Sequence, residues 1–95
     1  MRFSGSGTGP SEPFTASTSS VRVEITITPI ASLTHPGYTW YIYRVGASSY
    51  TCQGERSAQM GSYVDYCSGL TVGADYYVEV FAHDCSWQTE ITAVS

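Results

Sequence analysis

The sequence predicts an all-β fold, a seven-stranded sandwich of two antiparallel sheets. Residues 21–29 and 76–82 both alternate apolar and polar side chains with the two-residue period of a strand. Hydrophobic residues make up 42% of the chain, and Tyr, Val, Ile and Thr are abundant, which is typical of a β-rich globular protein. A chain of 95 residues is long enough for one such sandwich.

The predicted strands follow one another from residue 14 to residue 94. Residues 1–13 are rich in Ser, Gly, Thr and Pro and have few groups to bury, so we expect a flexible arm that precedes a domain of residues 14–95. Pro29 ends the second strand because it has no N–H to donate. Seven strands are expected, near residues 14–18, 21–29, 38–44, 50–53, 62–68, 76–82 and 87–94.

One stretch of the chain resembles the signature of a fibronectin type III domain, L-x-P-G-x-x-Y-x-V-x-V-x-A. The chain differs from this signature at the proline, where it has Val72. The segment G-Y-T-W-Y-I-Y-R at residues 37–44 is similar to a second family motif. The resemblance implies that the hydroxyl of Tyr76 bonds to an upstream backbone group where the chain crosses between the sheets. It also implies that Trp40 and Ile42 point inward, with Trp40 in place of the family's usual core tryptophan. The matching residues are Leu70, Gly73, Tyr76, Val78, Val80 and Ala82.

Three cysteines allow at most one internal disulfide. In the implied fold, Cys67 and Cys85 lie at opposite poles, about 25 Å apart at the rise of a strand, which is too far for a bond. Cys52 lies near the edge of the sandwich and can reach Cys67. We therefore expect either a Cys52–Cys67 disulfide or three reduced thiols. An intermolecular link through Cys85 is a further alternative.

Candidate catalytic and metal-binding residues are few. The implied fold brings His35, His83, Asp84 and Cys85 towards one pole, but no Cys-x-x-Cys or His-x-x-x-His spacing supports a metal site. No Gly-x-Ser-x-Gly motif marks a nucleophile, and a small sandwich offers little room for a substrate pocket. We expect no cofactor, no metal and no enzymatic activity.

The aromatic residues are more informative. Eight Tyr and two Trp exceed what one small core needs. In the implied fold, Tyr41, Tyr43, Tyr77 and Phe81 lie together on the outer face of one sheet. Trp87, at the same pole as His35 and His83, is a further candidate for the partner surface. Such a patch marks a partner surface, or it is a tyrosine ladder that stabilises cross-strand pairs.

The net charge of −4, with four Arg and no Lys, argues against nucleic acid and anionic membranes as partners. No apolar run approaches the roughly 20 residues that span a bilayer, and no signal segment is visible.

These features predict a non-catalytic structural or adhesive module, located outside the cell or on a virion surface. The Met start and the Gly/Ser arm favour a phage capsid decoration or tail component, whose arm clasps a neighbouring subunit. The alternative is a carbohydrate-binding or accessory module of a secreted enzyme, with Tyr41, Tyr43 and Trp87 as platforms for sugar rings.

Overall fold

In the computed structural model of the chain, which describes residues 1–6, 8–29, 37–57, 61–83 and 85–94, every regular element is a β-strand. Nothing helical in these ranges is long and apolar enough to cross a membrane. The nine strands are β1 (Arg2–Ser6), β2 (Gly9–Pro10), β3 (Phe14–Thr15), β4 (Ser20–Pro29), β5 (Gly37–Arg44), β6 (Tyr50–Ser57), β7 (Gly61–Ser68), β8 (Asp75–His83) and β9 (Cys85–Val94).

The strands form two antiparallel sheets. The first sheet has the order β1-β9-β4-β7, and the second has the order β2-β8-β5-β6, with β3 paired to β8 as well. The last strand, β9, does not pair with β8, which precedes it, but joins the first sheet between β1 and β4. The predicted all-β class and two antiparallel sheets are confirmed, while the predicted count of seven strands is wrong.

The two additional strands come from the segment expected to be a flexible arm. Strand β1 pairs with β9 over five residues, and β2 pairs with β8 at Val80 and Glu79. Backbone N–H and C=O groups can pair whatever the side chains are, and β8 and β9 offer such groups on the sides that face away from β5 and β4. The segment therefore contributes β1 to the first sheet and β2 to the second sheet of the same molecule.

The core lies between the sheets and follows the predicted alternation. On β4, the four residues Val21, Val23, Ile25 and Ile27 are buried, with exposed fractions between 0% and 3%. On the facing sheet the buried side chains include Trp40, Ile42, Val78, Val80 and Ala82. Leu70, in the segment that precedes β8, is also buried. Burial of each large apolar side chain contributes about 1.5–3 kcal/mol.

Polar groups also link the two sheets inside the core. The hydroxyls of Tyr38 on β5 and Thr89 on β9 lie 2.6 Å apart, and burial raises the pKa of Tyr38 well above its ordinary range. The indole N–H of Trp40 donates to Oδ2 of Asp65 on β7 at 3.2 Å. Gly54 lies opposite Trp40 in register, and a Cβ there would fall 2.3 Å from the indole nitrogen, so the ring needs a residue without a side chain.

Tyr76 anchors the turn that precedes β8, as the resemblance implies. Its hydroxyl accepts the backbone N–H of Thr71 at 2.8 Å, and the ring is 2% exposed. Gly73 has a φ of +89°, in the left-handed region that favours glycine, and its N–H donates to the carbonyl of Ala16 at 2.8 Å. The turn is thus held to both the following strand and the segment after β3.

The Cys52–Cys67 disulfide is present. It joins β6 in the second sheet to β7 in the first, with the α-carbons 5.8 Å apart. Because β6 and β7 are the terminal strands of their sheets on one side of the sandwich, the disulfide closes that side. Cys85 is outside the disulfide and is buried, which argues against a role as an intermolecular link.

Candidate functional site

The outer side of the second sheet carries a cluster of five aromatic rings, which we call the aromatic face: Tyr41, Tyr43, Tyr50, Tyr77 and Phe81. Successive side chains of a strand alternate between its two faces. The rings on β5 and β8 point outward because the residues that alternate with them fill the core: Trp40, Ile42, Val78 and Val80. Register places Tyr43 opposite Tyr77 on the neighbouring strand.

Ring contacts connect all five members. Tyr41 is central, with its ring centroid 6.2 Å from Tyr43, 5.2 Å from Tyr50 and 5.7 Å from Phe81. Tyr43 stacks on Tyr77 at 5.4 Å with an interplanar angle of 12°. The other contacts are tilted or edge-to-face, with angles from 42° to 88°, so the rings do not share a plane.

The four predicted members Tyr41, Tyr43, Tyr77 and Phe81 lie together, whereas Tyr50 was not predicted. Tyr50 joins them because the pairing of β5 with β6 shifts register between Ile42 and Tyr43, which brings Tyr50 opposite Tyr43. It is one of the most open rings of the face, 47% exposed, and Phe81 is 45% exposed. The sequence did contain one indication of this position. Tyr50 follows the Gly-containing turn after the strand whose Tyr41 and Tyr43 face outward.

Trp87 does not belong to the aromatic face, which corrects its prediction as a surface platform. It is 6% exposed and lies on the inner side of the first sheet, where its ring contacts Tyr38 edge-to-face at 5.7 Å. The reason is the placement of β9. Since this strand joins β4, residues 85, 87, 89 and 91 face the core.

The aromatic face carries negative charge. Glu79 lies on β8 between Tyr77 and Phe81, directly opposite Tyr41 in register, and Glu55 lies on β6, the strand on the other side of β5. Partial burial raises the pKa of Tyr43, and the negative charge of Glu79 raises it further. Two ion pairs, Arg2–Glu90 and Arg22–Glu24, lie on the other sheet.

The pole considered for a metal site is only partly described. His35 and Asp84 lie outside the described residues. His83 is exposed at the end of β8, with its ring over Gly37, while Cys85 is buried at the start of β9. Over the positions that the structure describes, no group of three or more His, Cys, Asp and Glu could hold a metal ion.

A concave surface lies on the first sheet, along outward-facing residues of β1, β4 and β9. Uncharged polar side chains line this groove, whose volume is about 460 Å³, together with Gly5 and Trp87. Register aligns Ser4 with Gln88 and Gln88 with Thr26 in one row, and Ser86 with Thr28 in the next. We call it the hydroxyl groove, and its polar members are Ser4, Thr26, Thr28, Ser86 and Gln88.

Comparison of the chain with protein-family models, with curated proteins and with solved structures finds no match.

Proposed function

We propose that the chain is a non-catalytic structural or adhesive module that docks on a partner protein through its aromatic face. The proposal extends to a place in a virion, as a phage capsid decoration or tail component, or in another surface assembly. One observation carries the docking proposal: five contacting rings lie on the outer side of a sheet, and two of them are close to half exposed. Tyrosine is enriched at protein interfaces, and exposed apolar patches of this kind mark partner surfaces.

Ring geometry favours a protein over a flat polysaccharide as the occupant of this face. Stacking on successive sugar rings needs aromatic planes that lie parallel to one surface. Here Tyr43 and Tyr77 stack on each other, and Tyr41 meets Phe81 at 83°. An uneven surface of ring edges and faces instead suits the side chains of a protein partner.

The proposed relationship to fibronectin type III domains is supported by the turn at Tyr76 and by the burial of the signature residues. One feature departs from the family pattern. In immunoglobulin-type sandwiches the last strand shares a sheet with strands C and F, whereas β9 lies in the sheet opposite β5 and β8. We therefore propose a sandwich with the type III tyrosine turn and a relocated last strand.

The expectation that residues 1–13 clasp a neighbouring subunit loses its support. Strands β1 and β2 use their backbone groups in pairing with β9 and β8 of the same chain. A place in a virion therefore depends on the aromatic face as the contact. The disulfide supports a location outside the cell or on a virion surface, because disulfides persist in oxidising environments.

Site-specific photo-crosslinking tests the docking proposal. A photoreactive phenylalanine analogue replaces Tyr50 on the aromatic face or, as the matched control, Tyr66, which is 65% exposed on the first sheet. We expect a discrete covalent adduct from position 50 and none from position 66 when the protein is made in its own host. Adducts from position 66 alone would overturn the proposal, and an adduct with a particle subunit would support the virion assignment.

The hydroxyl groove favours carbohydrate binding as a second candidate function. Neutral hydroxyl and amide groups can both donate to and accept from sugar hydroxyls. If the groove binds polysaccharide, Thr28→Val with Gln88→Leu should abolish retardation in a polysaccharide affinity gel. Tyr41→Ala with Tyr43→Ala is the control and should leave retardation intact; loss of retardation in that control would place the sugar on the aromatic face.

A further inference from the structure

The charges around the aromatic face restrict the chemistry of a partner. The π faces of Tyr and Phe attract cations, with energies of about 0.5–1 kcal/mol at exposed sites. Glu79 adds a carboxylate within the cluster, since its register partner is Tyr41, and Glu55 adds another on β6. The face thus combines two kinds of group that bind cationic side chains.

Three of the four Arg side chains, and His83, do not supply those cations to the aromatic face. Arg2 and Arg22 form ion pairs with Glu90 and Glu24 on the other sheet. Arg44 lies at the end of β5, directly after Tyr43. Adjacent residues of a strand point to opposite faces of the sheet, so Arg44 is not on the aromatic face. His83 lies at the far end of β8, over Gly37.

The net charge of the chain also favours a cationic partner. The chain carries −4 with four Arg and no Lys, so its field attracts basic segments during encounter. Glu79, opposite Tyr41 in register, adds negative potential at the rings, and its charge contributes, after the larger effect of burial, to the raised pKa of Tyr43. A neutral or acidic partner would leave this potential uncompensated on binding.

We infer that the partner presents a basic segment, with Arg or Lys side chains that lie over Tyr41, Tyr43 and Tyr50 and pair with Glu79. This inference deepens the proposed function and rests on it. Arg suits the site best, because its planar guanidinium can stack on a ring while its N–H groups donate to a carboxylate. The aromatic rings supply apolar contact area, and Glu79 selects for positive charge.

Selection from a library of randomised twelve-residue peptides separates the inference from the proposed function. Peptides are selected on the wild-type protein and depleted on the variant Tyr41→Leu with Tyr43→Leu, which keeps apolar side chains but removes the π faces. We expect the remaining peptides to be enriched in Arg and Lys. Neutral or acidic peptides would overturn the inference and leave docking through the face intact, whereas no peptide that depends on the face would overturn both.

Titration of a selected basic peptide then tests the role of Glu79. Glu79→Gln keeps the shape of the side chain and should weaken the affinity about two- to fivefold, the effect expected of one exposed charge contact. Glu24→Gln, which removes a carboxylate from the other sheet, is the matched control and should change the affinity little. Equal affinity for wild type and Glu79→Gln would overturn the assignment of Glu79.

Sedimentation of the protein alone tests the competing occupant, a second copy of the chain. We expect the wild type to stay monomeric at concentrations where the basic peptide binds. Dimers of the wild type that disappear in Tyr41→Leu with Tyr43→Leu would assign the face to self-association and overturn the inference.

Discussion

Tyr76 illustrates how one hydroxyl fixes the position of a turn. Its oxygen accepts the N–H of Thr71, and its ring is 2% exposed. Tyr76→Phe should leave that N–H without its partner and lower the free energy of unfolding by about 1–2 kcal/mol. Urea denaturation measures the change. Tyr66→Phe is the control, since Tyr66 is 65% exposed, and it should alter stability by less than about 0.5 kcal/mol.

Among single residues, the sequence was sufficient where alternation alone decides the outcome. Trp40, Val78 and Val80 are buried as predicted, and Tyr41 and Tyr43 point outward, because side-chain direction in a strand depends only on position parity. Tyr50 was missed, since a register shift between neighbouring strands is not visible in either strand's own sequence.

The position of a whole strand was harder to predict than its existence. Residues 87–94 were expected to form the last strand, with no partner strand predicted. Strand β9 covers them and pairs with β1 and β4. Alternation predicts which side chains share a face, not which sheet that face belongs to. The same uncertainty explains why Trp87 was wrongly predicted to lie on the surface. Its register partner, Ile27, is a buried core residue of the first sheet.

The disulfide joins two elements that are adjacent in sequence but lie in different sheets. It closes a separation of 15 residues, for which the chain-entropy model gives a stabilisation of about 3 kcal/mol. Reduction of the wild type should therefore lower the free energy of unfolding by about this amount in urea. The variant Cys52→Ala with Cys67→Ala is the control and should unfold identically with and without reductant. Equal stability of the oxidised and reduced wild type would contradict the prediction.

The contact between β1 and β9 should depend on pH. Hydrogen bonding and charge attraction from Arg2 lower the pKa of Glu90 below its ordinary value of 4.5. A carboxyl with a lowered folded-state pKa stabilises the fold above its unfolded pKa and loses that contribution as pH falls through the folded pKa. The stability difference between wild type and Arg2→Gln should thus be present at pH 7 and disappear in acid well below pH 4.5.

Thermal unfolding of both proteins across this pH range measures the difference. In a Glu90→Gln background, Arg2→Gln should have the same effect at every pH, because the titrating group is gone. A wild-type difference that stays constant from neutral pH into acid would show that Glu90 is not the group responsible.

At the scale of the whole molecule, the two open sides of the sandwich are closed by different means. The disulfide joins β6 to β7 on one side, and the chain from β1 to β2 crosses between the sheets on the other. The sequence indicated the first closure through cysteine positions. It did not indicate the second, because Ser and Gly have no side-chain pattern that predicts pairing, and composition alone suggested an unpaired arm.

Removal of residues 1–6 tests the second closure. Without β1, the backbone of β9 on the side away from β4 has no partner, and Trp87 loses cover, since the Cβ position of Gly5 lies 3.2 Å from its ring. Strand edges left open in this way pair with other chains. We therefore expect the truncated protein to melt at a lower temperature than the full chain and to self-associate as concentration rises.

Sedimentation and thermal unfolding at matched concentrations measure both effects, with the full chain as one control. Arg2→Gln in the full chain is the second control: it removes the ion pair with Glu90 but keeps the strand, so it should remain monomeric. If the truncated protein is monomeric and has the same melting temperature as the full chain, β1 does not close the sandwich. If Arg2→Gln also self-associates, the ion pair rather than the backbone of β1 protects the edge of β9.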